Sequence, residues 1–299
     1  MIRVPEELTA PRMSVADACD AFMKDCEARN LSKATRKKYD LLTRELKGRF
    51  KENIAAVTPD DIRAYREAWG MVPLSALKKL ERLNTFFRFC DDAGWIRENP
   101  TRVIRSPKIV HRPTLPFTKE EMEKIVWATE VYPTAGIHGM KNPLRAKAMV
   151  LLLRYSGMRV GDVATLACEK IQNGQLLLYT AKTNTPVSLP LPKDVLRDLA
   201  DLGETGKYFF WSGNGGVKAA TSGVQRTLAK VFKLAKVSGH AHKFRDTFAV
   251  ELLQNGVSLE NVAALLGNTI KVAERHYAPW VKSRQEALTA EIEKAWKLA

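Results

Sequence analysis

The sequence predicts a mainly α-helical protein of two domains, the second of which carries one small antiparallel sheet of three strands. Three observations predict this. Apolar residues recur at helical spacing from about Ser14 to Asn99. A basic, proline-rich stretch then interrupts the pattern between Asn99 and Pro116. Beyond it the apolar period switches once from helical to alternate residues, around 170–191, and then switches back. A chain of 299 residues buries a sizeable core, and its length favours two domains over one.

In the first domain, residues 1–104, Val15, Ala18, Phe22 and Cys26 form one amphipathic stripe. Ser32 precedes a basic helix bearing Lys33, Arg36, Lys37, Lys38 and Arg44, with Tyr39, Leu42 and Leu46 on its apolar face. Thr58-Pro59-Asp60-Asp61 is a helix start: a hydroxyl N-cap, proline in the first turn, and acids at the positive end of the dipole. A further helix spans roughly Leu74 to Ala93, with Leu77, Leu80, Leu83, Phe87 and Cys90 facing inward and Gly94 placed to stop it.

The break between Asn99 and Pro116 contains Pro100, Pro107, Pro113 and Pro116, and the cations Arg102, Arg105, Lys108 and Arg112 with no acid among them. Its segment 105–116 reads as an extended linker, either a strap lying along DNA or a solvated tether.

Thr118-Lys119-Glu120-Glu121 is a capping box that opens the second domain, residues 117–299. Helices are expected at about 119–131, 143–156 and 160–166. Asn173-Gly174 between short apolar runs marks a hairpin, and Val187 to Leu191 supplies a third strand. Helices resume at about 193–201, 219–236, 243–255, 259–266 and 270–277. A tail from about Val281 to Leu298 carries a narrow stripe of Leu288, Ile292 and Trp296. That stripe suits either a neighbouring subunit or the chain's own domain.

The formal net charge is +15, which points to a polyanionic partner, since lysines and arginines on phosphates release counterions. Anionic membrane surfaces share that attraction. The first residues lack the apolar core of a secretory signal, and the strongest apolar run, Ala148 to Leu153, is far too short to span a bilayer. Cys19, Cys26, Cys90 and Cys168 show no C-x-x-C spacing and read as reduced thiols of a cytoplasmic protein. His240 and His242 are the only close histidine pair, so no metal site is expected.

One series of residues suits a particular chemistry. Arg159 lies in Ser156-Gly157-Met158-Arg159-Val160-Gly161-Asp162, and Lys182 in Thr180-Ala181-Lys182-Thr183. His242 and Arg245 form a His-x-x-Arg pair, one helical turn apart. Tyr277 follows in Glu274-Arg275-His276-Tyr277. A phosphodiester repels anionic nucleophiles, and arginine relieves this with permanent charge and a forked pair of donors. A phenol titrates near pH 10, so a phenolate at pH 7 costs about 4 kcal/mol. The tyrosine therefore makes chemical sense only beside the cations. Asp162 is placed to orient Arg159 from behind.

This series, in this order and with these flanks, resembles the tyrosine recombinase (phage integrase) family. The resemblance covers nearly the whole chain and implies a SAM-like helical core-binding domain and a catalytic domain closing as a clamp on duplex DNA. It implies site-specific strand exchange, with Tyr277 as nucleophile, Arg159 and Arg245 on the phosphate oxygens, and His242 as donor and acid/base participant. It assigns Lys182 to protonation of the departing 5′ oxygen. It implies no cofactor, a double-stranded DNA partner and a homotetramer on DNA in the cytoplasm, at the nucleoid. The chain departs from the family pattern at three positions. Phe244 and Asp246 stand where leucine and histidine are usual. Asn268, nine residues before Tyr277, stands where histidine is usual; it retains a hydrogen bond but cannot titrate. A type IB topoisomerase-like relaxing enzyme, or a DNA-binding accessory protein with weakened catalysis, would share most of these features.

Overall fold

The computed structural model describes residues 13–109, 115–136, 138–179, 186–203 and 206–296. The chain divides into two compact units, Met1–His111 and Arg112–Ala299.

The first unit contains α1 (Val15–Ala28), α2 (Lys33–Arg49), α3 (Pro59–Glu67) and α4 (Pro73–Asp92). Side-chain caps start three of them: Ser14 accepts from the Asp17 amide, Ser32 from that of Thr35, and Thr58 and Asp61 form a reciprocal capping box. The stripe of α1 buries Phe22 edge-on against Tyr39 of α2 and Phe86 of α4. Leu46, Ile62, Leu83 and Phe87 complete an apolar core. The start of the proline-rich break belongs to this unit. Asn99 and Thr101 are buried and bonded to Asn84, and Ile104 packs in the same core.

The second unit contains α5 (Lys119–Glu130), α6 (Asn142–Ser156), α7 (Val160–Ala164), β1 (Ile171–Gln172), β2 (Gln175–Tyr179), β3 (Pro186–Pro190), α8 (Lys193–Leu202), α9 (Val217–Ala235), α10 (Ala241–Gln254), α11 (Leu259–Leu265) and α12 (Ile270–Ala295). The three strands form one antiparallel sheet in chain order, with Leu176 opposite both Ile171 and Leu189. Asn173 and Gly174 take positive φ at 50° and 77°, which the tight turn between β1 and β2 requires. Apolar α6 is the central helix, packed by α5, α8, α9 and α10. A ring triad of Phe117, Phe232 and Phe244 ties the start of the unit to α9 and α10.

The mainly α architecture with one three-stranded antiparallel sheet is the one expected. One element differs: residues 270–295 are a single helix, where a short helix and a separate tail were anticipated. Pro279 lies within it and supplies no backbone donor, and the helix nonetheless continues past it. The apolar stripe near its end stays exposed, at 38% for Leu288, 43% for Ile292 and 70% for Trp296. No helix among the described residues is long and apolar enough to cross a membrane.

Candidate active site

The C-terminal turn of α6 sets the first residue of the site. Gly157 ends that helix in the left-handed conformation at φ +59°. A Cβ there would lie 2.6 Å from Phe248 Cδ1 and 3.0 Å from Leu266 Cδ2, so glycine is required twice over. The chain then turns extended at Arg159, the N-cap of α7, and delivers its guanidinium toward α10 and α11.

Arg245 comes from the first turns of α10 and is 3% exposed. Its Nη1 donates to the Gly157 carbonyl at 2.7 Å, and its Nη2 donates to the Leu266 carbonyl and to Asn268 Oδ1 at 3.2 Å. Arg159 Nη2 donates to the same Asn268 Oδ1 at 3.2 Å. The amide oxygen thus bridges both guanidiniums. Burial and the neighbouring charge of Arg159 lower the Arg245 pKa to about 10, which leaves it cationic at neutral pH. Arg159 Nη1 is buried without a hydrogen-bond partner. An unpaired buried donor costs about 1–3 kcal/mol, which an incoming anion would recover.

Tyr277, on α12, is 2% exposed and donates its hydroxyl to Asp246 Oδ1 of α10 at 3.0 Å. Burial first, and then the Asp246 charge, push the phenol above its ordinary pKa, while Arg245 opposes them. Burial likewise raises the Asp246 carboxyl, opposed first by His242. The side chain of His242 is 59% exposed, with Nε2 4.0 Å from Asp246 Oδ1. Lost hydration and the charges of Arg245, His240 and Arg159 hold the imidazole below the usual histidine range, against the pull of Asp246. It is therefore mainly neutral at pH 7, able to donate or accept.

The structure thus gathers Arg159, His242, Arg245, Asn268 and Tyr277 around the junction of α7, α10, α11 and α12. Asp162 is buried and its charge reaches Arg245. Lys182 lies outside the described residues. The family departure at Phe244 is a packing matter, since that ring is fully buried against Phe117 and Phe232. Asp246 is the residue whose place the sequence did not reveal. Its signal was an acid four residues after His242, but its partner Tyr277 is on a different helix.

In the first unit, Lys33 and Lys37 are exposed on α2, while Arg36 is half-buried and pairs with Glu27 at 3.3 Å. Arg102, Arg105 and Lys108 are exposed, with Arg102 3.8 Å from Glu98. Arg112 lies outside the described residues.

A mostly helical domain that sets a buried arginine, a half-buried arginine and a buried tyrosine together has a fold and site that define a class. Residues 116–280 match the phage integrase family, and the chain belongs to that family, the tyrosine-type site-specific recombinases. It is similar to the tyrosine recombinase XerD of Rhizobium meliloti, at 27% identity over 70% of this chain and 72% of that protein. It is also similar to the tyrosine recombinase XerC of Pediococcus pentosaceus, at 26% identity over 88% of this chain and 87% of that protein. The fold is similar to that of a chain in a lambda integrase dimer bound to a COC′ core site, with a TM-score of 0.71 at 20% identity, covering 90% of this chain and 95% of that one. A lambda integrase tetramer bound to a Holliday junction matches with a TM-score of 0.70 at 20% identity, over 90% of this chain and 83% of that one.

Proposed function

We propose that the chain cleaves and rejoins duplex DNA at a specific site through a 3′-phosphotyrosyl link to Tyr277. The observation that carries this reading is the pair of guanidiniums bridged by Asn268 beside a buried phenol. A guanidinium has about five N–H groups, and Arg245 spends three on Gly157, Leu266 and Asn268. The unpaired Nη1 of Arg159, beside the fixed charge of Arg245, suits a non-bridging oxygen of the phosphate. His242 adds a neutral imidazole at the exposed rim. Lys182, by resemblance, protonates the 5′ oxygen as it departs. The phosphotyrosyl bond conserves the energy of the broken one, and a 5′-hydroxyl of the partner duplex reverses the step.

The net charge and the exposed cations Lys33, Lys37, Arg102, Arg105 and Lys108 suit the DNA backbone. Arg36 and Arg112 belong to the same basic segments. The division of labour is a helical DNA-binding domain over 1–104, a basic linker over 105–116 and a catalytic domain over 117–299. Four copies act on two duplexes, and the exposed Leu288, Ile292 and Trp296 stripe of α12 docks on a neighbouring copy. The protein works where its DNA lies, in the cytoplasm at the nucleoid. A nicked suicide duplex of the recombination site tests the reading. Wild type should accumulate a covalent adduct. Relaxation of site-free supercoiled DNA would instead indicate a topoisomerase, and footprinting without an adduct an accessory protein.

A further inference from the structure

We propose that Asp246 is the proton acceptor for Tyr277, so that the nucleophile is activated by a carboxylate built into α10. This rests on the reading of Tyr277 as nucleophile. Two observations and one energetic argument carry it. The Tyr277 hydroxyl donates to Asp246 Oδ1 at 3.0 Å, the geometry from which a phenolic proton transfers directly. Both side chains are buried, at 2% and 5% exposure, so bulk water does not compete for that proton. An uncharged acceptor would satisfy the hydroxyl without placing a carboxylate in a poorly hydrated site, which is the costlier choice.

As the bond from Tyr277 Oη to phosphorus forms, the phenolic proton passes to Asp246 Oδ1. The bond from phosphorus to the 5′ oxygen breaks, and that oxygen leaves with a proton from Lys182. In rejoining, the incoming 5′-hydroxyl gives up its proton to the lysine, and the carboxylic acid returns its own to the departing phenolate. An acid whose pKa burial has raised is better matched to both directions than an ordinary aspartate. Asp246 is faced by His240, His242 and Arg245 of its own segment and by His276 and Tyr277 of α12, with Arg159 and Asp162 behind Arg245. Asp246 accepts a proton only when ionised. Adduct formation therefore rises with pH through its elevated pKa and then levels, and the titration of His242 overlies that rise in both wild type and variant.

The test is single-turnover adduct formation on a nicked suicide duplex, wild type against Asp246→Asn, across pH. The amide keeps an acceptor oxygen for the Tyr277 hydroxyl but cannot take its proton. The variant should fold and footprint like wild type, form adduct on the order of 100-fold more slowly, and lose the part of the acidic rise that wild type shows beyond His242. A second duplex carries sulfur in place of the 5′ bridging oxygen, a leaving group that needs no proton. It should relieve Lys182→Ala but leave the Asp246→Asn deficit in place. Adduct at the wild-type rate or faster, or a deficit that vanishes on the sulfur duplex, overturns the proposal. If Asp246→Asn does not fold, Asp246→Ser is read against the same outcomes. Wild type that forms no adduct on a footprinted site removes the reading of Tyr277 as nucleophile, and this proposal with it.

Discussion

The cations of α2 and those around α10 illustrate two uses of positive charge. Lys33 and Lys37 stand in solvent on a helix that is basic along its outer face. Arg245 is 3% exposed and is fixed by two backbone carbonyls and an amide oxygen. Exposed charges act at a distance, are screened by salt and tolerate rearrangement. Buried charges in fixed geometry act on one bound group and tolerate none. Affinity for DNA is therefore expected to be spread over many replaceable residues, and chemistry to be concentrated in a few irreplaceable ones.

The sharpest way to break this contrast is at Arg245. Arg245→Ala should slow adduct formation by about 100- to 1,000-fold in single-turnover assays. It should also lower the melting temperature, since the Gly157 and Leu266 carbonyls lose their donor. Gly157→Ala comes next. It combines a left-handed backbone with a Cβ driven into Phe248, so chemical denaturation should show a loss of about 3 kcal/mol. Asn268→Asp sharpens the contrast by separating stability from activity. A carboxylate between two guanidiniums should raise the melting temperature. It should also slow adduct formation about 10-fold, because its charge offsets the two guanidiniums that the phosphate needs. The smallest effects belong to α2. Lys33→Ala and Lys37→Ala should each reduce the slope of log affinity against log salt by about 1, and their effects should add.

Local signals in the sequence carried the helical units well. Ser14, Ser32, Thr58 and Thr118 all cap the helices they precede, because capping is settled within three residues. Asn173-Gly174 makes its turn for the same reason. The length of α12 was not legible, since Pro279 reads locally as a stop, and a tertiary setting decides whether a proline ends a helix. The expected candidates Arg159, Arg245, Asn268 and Tyr277 were visible as residues, but their wiring was not. The oxygen of Asn268 accepts from two arginines that are far apart in sequence, a pairing with no local signal. Asp246 stood out only as an unexpected acid, because the hydroxyl it accepts lies 31 residues away. Pairings of this kind are set by how α10 and α12 pack, which no local pattern encodes.

Attack on DNA by the buried phenol of Tyr277, beside the bridged arginines, is open to direct trapping. Wild type and Tyr277→Phe are incubated, with a chelator present, on a nicked duplex drawn from the DNA flanking the gene and shown by footprinting to be bound. The account predicts a covalent adduct for wild type, mapped to Tyr277 by peptide mass, and none for Tyr277→Phe. Equal adduct from both proteins, an adduct on another residue, or none from wild type on that bound duplex would contradict it.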